Sequence, residues 1–125
     1  MIIIDTSVWI EFLKGNFEYS NIVIDFIENR EVLFLECIAS ELLQGVKNKR
    51  EKEVIISYWK LLPKISMNNL WIKGGLYSSE NNMISKGIGL IDAVIIVATK
   101  ETKSKLWTLD KKILNNIEDE IIFKP

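Results

Sequence analysis

Four acidic side chains, Asp5, Glu41, Asp92 and Asp110, stand where they could hold a hard cation. Asp5 follows the β-branched run Ile2-Ile3-Ile4, and Asp110 follows Leu106-Trp107-Thr108-Leu109. Both therefore sit just past the end of an expected strand, and ligands of open α/β sheets bind beyond the carboxyl ends of strands. Asp92 opens the most apolar segment of the chain, with no basic residue near it in sequence. A carboxylate held against a core needs a partner, and a cation would supply one. Glu41 lies inside a helical pattern, on the edge of its apolar face, where no capping role exists. Each acid alone has an ordinary explanation: a cap for Asp5 and Asp110, a favourable first-turn charge for Asp92, a solvated surface position for Glu41. Taken together, an oxygen-only donor set points to Mg²⁺ or Mn²⁺ and away from Zn²⁺.

Composition narrows the chemistry further. The chain has no histidine, which removes Ser-His-Asp and Cys-His catalysis and imidazole zinc sites. Its one cysteine, Cys37, cannot form an intramolecular disulfide, so a reducing, cytoplasmic setting is expected. The start lacks a basic n-region, and the apolar stretch from Ile88 to Ala98 is too short to span a bilayer. No membrane association is expected. At 125 residues, with 48% hydrophobic and 26% charged residues, the length suits one domain over 1–125 with a real core. A net charge of −1 speaks mildly against a nucleic-acid partner. Assigning four acids to a metal leaves the remaining side chains net basic, so total charge does not decide the matter.

The elements that must carry these acids alternate between short β-like runs and amphipathic helical patterns, the mark of an α/β layer fold with a mostly parallel sheet. Strands are expected at 2–4, 32–35, 106–108 and 121–123. Val8, Trp9, Phe12 and Leu13 share a helix face that Gly15 can close. A second helix starts near Ser20-Asn21, and a third carries Ile38, Ala39, Leu42, Leu43 and Val46. The charged run Lys47 to Lys52 opens a fourth, which Pro63 stops. A weaker helix is expected over 68–86, with Leu70, Tyr77 and Ile84 on one face. Gly74-Gly75 inside it would permit close backbone packing. Ile91 to Thr99, apolar nearly all round, reads as a buried central helix.

The segments Ile3-Ile4-Asp5-Thr6-Ser7-Val8-Trp9, Glu41-Leu42-Leu43-Gln44-Gly45, Ile91-Asp92-Ala93-Val94-Ile95-Ile96-Val97-Ala98 and Thr108-Leu109-Asp110 resemble the four motifs of PIN-domain ribonucleases, and more narrowly those of VapC-type toxins of toxin–antitoxin pairs. The resemblance runs from residue 2 to about residue 123. It implies a three-layer α/β/α PIN-like domain with a sheet of four to five strands. It further implies that Asp5, Glu41, Asp92 and Asp110 bind one or two Mg²⁺ or Mn²⁺ ions, with Thr6 and Thr108 orienting carboxylates or waters behind them. The implied activity is metal-dependent hydrolysis of RNA; the implied partners are a VapB-like antitoxin and a second copy of the chain. Candidates for RNA contact are Lys14, Lys47, Lys49 and Arg50, although the Lys47–Lys52 run also suits a solvated helix start. Two departures stand out: the chain is less basic than such toxins often are, and Glu36 stands where a small hydroxyl residue is more usual. A PIN-like module that binds RNA without cutting it, or a nuclease acting on DNA, are the alternatives. Trp59, Trp71 and Tyr77 supply apolar surface beyond what so small a domain need bury.

Overall fold

The computed structural model describes all residues, 1–125. A buried strand, β1 (Ile2–Ile4), pairs in parallel with β2 (Lys105–Trp107), matching Ile2 to Lys105, Ile3 to Leu106 and Ile4 to Trp107. Three consecutive β-branched residues suit a strand covered on both faces, and all three are buried. Single parallel bridges extend the pairing outward, Ile2 to Val32 on one side and Leu106 to Ile122 on the other. The α/β class with a parallel sheet is thus as expected, but the ladder is shorter than the four to five strands anticipated.

Both missing strands have local causes. After Leu33 donates to the Ile2 carbonyl, Phe34 N–H turns away to the Pro63 carbonyl, and α3 begins at Glu36. At the other edge, a 3₁₀ turn at Asp119–Ile121 leaves only Ile122 to bridge and Phe123 N–H to bond Leu106. The strands expected at 32–35 and 121–123 are thus corrected to single bridges: Val32 to Leu35 and Ile122 are buried, but the backbone bends before a ladder can form.

Seven helices surround this ladder: α1 (Thr6–Lys14), α2 (Ser20–Glu28), α3 (Glu36–Gln44), α4 (Lys49–Leu61), α5 (Leu70–Glu80), α6 (Leu90–Glu101) and α7 (Lys111–Leu114). Gly15 closes α1 in the left-handed conformation, as its position suggested. Helix α6 is the expected central element, with residues 93 to 99 all buried. The core joins these elements through aromatic contacts, among them Trp9 stacked on Phe34 with centroids 5.0 Å apart. The Trp9 Nε1–H lacks a hydrogen-bond partner. That costs about 1–3 kcal/mol, which burial of so large a ring offsets.

The weak helix over 68–86 is corrected. It ends at Glu80, Asn82 takes a left-handed turn, and Ile84 to Lys86 form a separate 3₁₀ turn. Ile84 is consequently 84% exposed and does not share the inward face with Leu70. Gly74 does serve close packing: a Cβ there would lie 2.5 Å from Val94 Cγ2 and 3.1 Å from its backbone. No helix is long and apolar enough to cross a membrane.

Candidate metal centre

The parallel pairing of β1 with β2 puts the two strand ends side by side, and Asp5 and Thr108 leave them together. Asp5 N–H donates to the Trp107 carbonyl at 2.9 Å, continuing the ladder by one step. Asp5 occupies the N-cap position of α1 but its side chain caps nothing. Its Oδ2 instead accepts from Ser7 Oγ and from Thr108 Oγ1, each at 2.8 Å. Oδ1 accepts no hydrogen bond from the chain, although the residue is only 5% exposed. Two hydroxyls thus fix the plane of the carboxylate and leave one oxygen for something else.

Around this centre the other acids are held by their own elements. Thr6 Oγ1 donates to Glu41 Oε1 at 2.7 Å, tying the start of α1 to the middle of α3. Asp110 caps α7, its Oδ1 accepting from Lys112 N–H at 2.8 Å, while its own N–H donates to Thr108 Oγ1. The capping explanation therefore holds for Asp110 and fails for Asp5. Asp92 stands half-buried in the first turn of α6.

The electrostatics of Asp92 tie the four together. Burial pushes its carboxyl up to about 6, and the charges of Asp5, Asp110 and Glu41 add to the shift. None of the four acids forms a salt bridge; all five ion pairs lie elsewhere on the surface. A concentration of like charge without a base is the situation a cation relieves. Asp5, Asp110 and Glu41 all act on Asp92 by charge, yet no three of the acids close into a metal cage. Magnesium does not require one, since it retains waters and uses one or two carboxylates. Cys37, one turn before Glu41, does not join the donors: burial first, then the Glu41 charge, pushes its thiol up to about 12. It stays protonated and inert.

Ser7 is the residue that spacing alone did not single out. Its hydroxyl donates to Asp5 and accepts from Leu109 N–H at 3.0 Å, so it bridges the two strand ends. The only signal was its place in the Asp-Thr-Ser segment. Glu36 is exposed, and its carbonyl accepts from Ser40.

The basic candidates divide. Lys14, Lys47 and Arg50 line a groove of about 540 Å³ between α1, α3 and α4 that opens beside Glu41, with Ile10 and Leu13 along its apolar wall. Lys49 does not line it and pairs with Glu53 at 3.7 Å one turn along α4.

Among solved structures, the chain is similar to VapBC2 from Rickettsia felis, determined bound to a DNA fragment from their promoter. That match has a TM-score of 0.71 and 20% identity over 99% of this chain and 98% of that one. It is also similar to FitAcB from Neisseria gonorrhoeae, with a TM-score of 0.59 and 19% identity over 90% and 89% of the two chains. At these identities the likeness is one of fold. No curated protein matches the sequence. The PIN domain family model matches residues 2–119, nearly the whole length, and the four acids fall inside it. The chain belongs to the PIN-domain family.

Proposed function

We propose that the chain is a Mg²⁺- or Mn²⁺-dependent endoribonuclease of the VapC type, the toxin of a toxin–antitoxin pair. PIN domains are generally nucleases, and the observation that carries the reading here is the acidic centre. Asp5 keeps Oδ1 free on a fixed carboxylate, while Asp92, Glu41 and Asp110 surround it without a cationic partner. In this reading Asp5 and Asp92 hold the ion, Glu41 and Asp110 complete its acidic surroundings, and Thr6, Ser7 and Thr108 orient the carboxylates. When bound, such an ion lowers the pKa of water and offsets the charge gathering on phosphate. The chain's own residues fix the donors and keep one face of the centre open.

The experiment is incubation of the purified chain with single-stranded RNA and with DNA of the same sequence, in Mg²⁺, in Mn²⁺ and in EDTA. RNA cleavage in either ion and none in EDTA is expected. Cleavage that persists in the chelator would remove the metal reading, and cutting of DNA in preference to RNA would replace the substrate.

An antitoxin partner is supported by the likeness to VapBC and FitAB assemblies and by the site itself. A segment placing a basic side chain among the four acids would meet carboxylates that belong to no ion pair. A second copy is proposed as a further partner. Ile72 and Leu76, 69% and 57% exposed, stand one turn apart on α5, and exposed Ile84 and Leu90 line a depression with Gly75 of the same helix. Leu76→Asp is expected to shift sedimentation of the free chain from dimer to monomer; an unchanged profile would exclude this face.

A further inference from the structure

Lys14, Lys47 and Arg50 share a groove with Glu41, and none of the other three acids lines it. A polyanion laid across four carboxylates is repelled along its path, so cations on one side can anchor just one arm of it. The segments that deliver Asp92 and Asp110 contribute no residue to that groove. The side chain of Lys112 lies over Gly87, its Cδ, Cε and Nζ at 3.3, 3.5 and 3.5 Å from where a Cβ would stand. Gly87 has φ +78°, so glycine both suits this backbone and leaves room for the lysine stem. Residues 87 to 89 lead directly into α6 and Asp92. Lys112 also belongs to the segment of Asp110, whose carboxylate accepts its backbone N–H. One flexible cation therefore spans the two segments.

Its ammonium forms no ion pair or hydrogen bond with either acid, nor with any other group. Lys86, beside Gly87, and Lys111 are also exposed and outside every ion pair. An unpaired ammonium loses no existing partner on taking up a phosphate, and releasing phosphate counterions favours the contact.

We propose that Lys112, with Lys86 next to it, is a phosphate-positioning flank of the site. An extended single-stranded nucleic acid then crosses the acids from the Lys14–Arg50 groove to the start of α7. The inference rests on the nuclease reading.

The test is fluorescence anisotropy of a labelled single-stranded RNA in Mg²⁺, titrated at several salt concentrations. It is done in the Asp92→Asn background so that no strand is cut. Lys112→Gln is expected to weaken binding about fivefold and to reduce the salt slope by roughly 0.7, the share of one phosphate contact on a single strand. Lys112→Arg should restore both, which a merely structural role would not predict. Lys124→Gln, which removes an ion pair with Asp119, serves as control and should change neither. In the Asp92-containing enzyme, Lys112→Gln should raise KM more than it lowers kcat. A Lys112→Gln protein with unchanged affinity and slope, while Lys14→Gln weakens binding, would remove this flank and leave the nuclease reading standing. No binding by the parent would remove both.

Discussion

Asp92→Asn is expected to abolish RNA cleavage, by about a thousandfold or more, and at the same time to make the metal-free chain more stable at neutral pH. The two effects share one cause. Burial first, and then the charges of Asp5, Asp110 and Glu41, raise the Asp92 carboxyl from its ordinary 3.8 to about 6. Between those values the folded chain holds a proton that the unfolded chain gives up. Stability from this group is therefore present below about pH 4 and lost as pH rises through about 6. Asparagine, of nearly the same shape, escapes that loss. Discounted for its exposure, the gain is about 1 kcal/mol, or roughly 3–5 °C in a chain of this size. Thermal melts in EDTA should show the gap between variant and parent opening from pH 4 to pH 7. Added Mg²⁺ should then raise the melting temperature of the parent and not of the variant. A variant that melts lower than the parent at pH 7 in EDTA would make Asp92 a structural residue.

The second large effect concerns adjacent glycines of α5 that should respond in opposite directions. Gly74→Ala drives a Cβ to 2.5 Å from Val94 Cγ2 and 3.1 Å from the Val94 backbone. The methyl can rotate, but the backbone of α6 is enclosed on all sides over residues 93 to 99. Overpacking of this kind costs about 1–3 kcal/mol, more than the roughly 1 kcal/mol that alanine contributes to a helix. A melting temperature several degrees lower is expected, with a loss of cleavage besides, because Val94 stands two residues from Asp92. Gly75→Ala meets nothing within 4 Å and should stabilise by about 0.5–1 kcal/mol. Urea unfolding of the pair distinguishes the cases; equal midpoints would show that the interface between α5 and α6 is slack.

What could be read from the sequence, and what could not, divides along physical lines. The stripe on α1, the closing Gly15 and the all-round apolar α6 follow from helical periodicity, which is local. Asp5, Asp92 and Asp110 stand out in the sequence because strand ends and helix starts are also local signals, whereas Glu41, inside α3, stands out only by its place at the edge of an apolar face. Strand pairing is not: Val32 to Leu35 has the composition of a strand, yet Phe34 bonds Pro63, and nothing in the run itself announces that bend. Ile84 fits the spacing of the α5 face but lies beyond a left-handed Asn82, which breaks the period. Ser7 escaped because its role depends on Thr108 and Leu109, about a hundred positions away. Lys112 is hidden for a similar reason, since its neighbour Gly87 belongs to a different segment of the chain.

The pairing of Ile2–Ile4 with Lys105–Trp107 has a consequence for the order of events in folding. Asp5 is made almost first, yet the strand beside it and the Thr108 hydroxyl that fixes it lie about a hundred residues on. Contacts of such sequence separation form only after the intervening chain has been closed into a loop, and they slow folding accordingly. A chain stopped between Asp92 and Lys105 would contain Asp5, Glu41 and Asp92 without the ladder that assembles them. During synthesis the acidic centre is thus among the last features completed, and a nascent or truncated chain carries most of its acids without the strand pairing that gathers them.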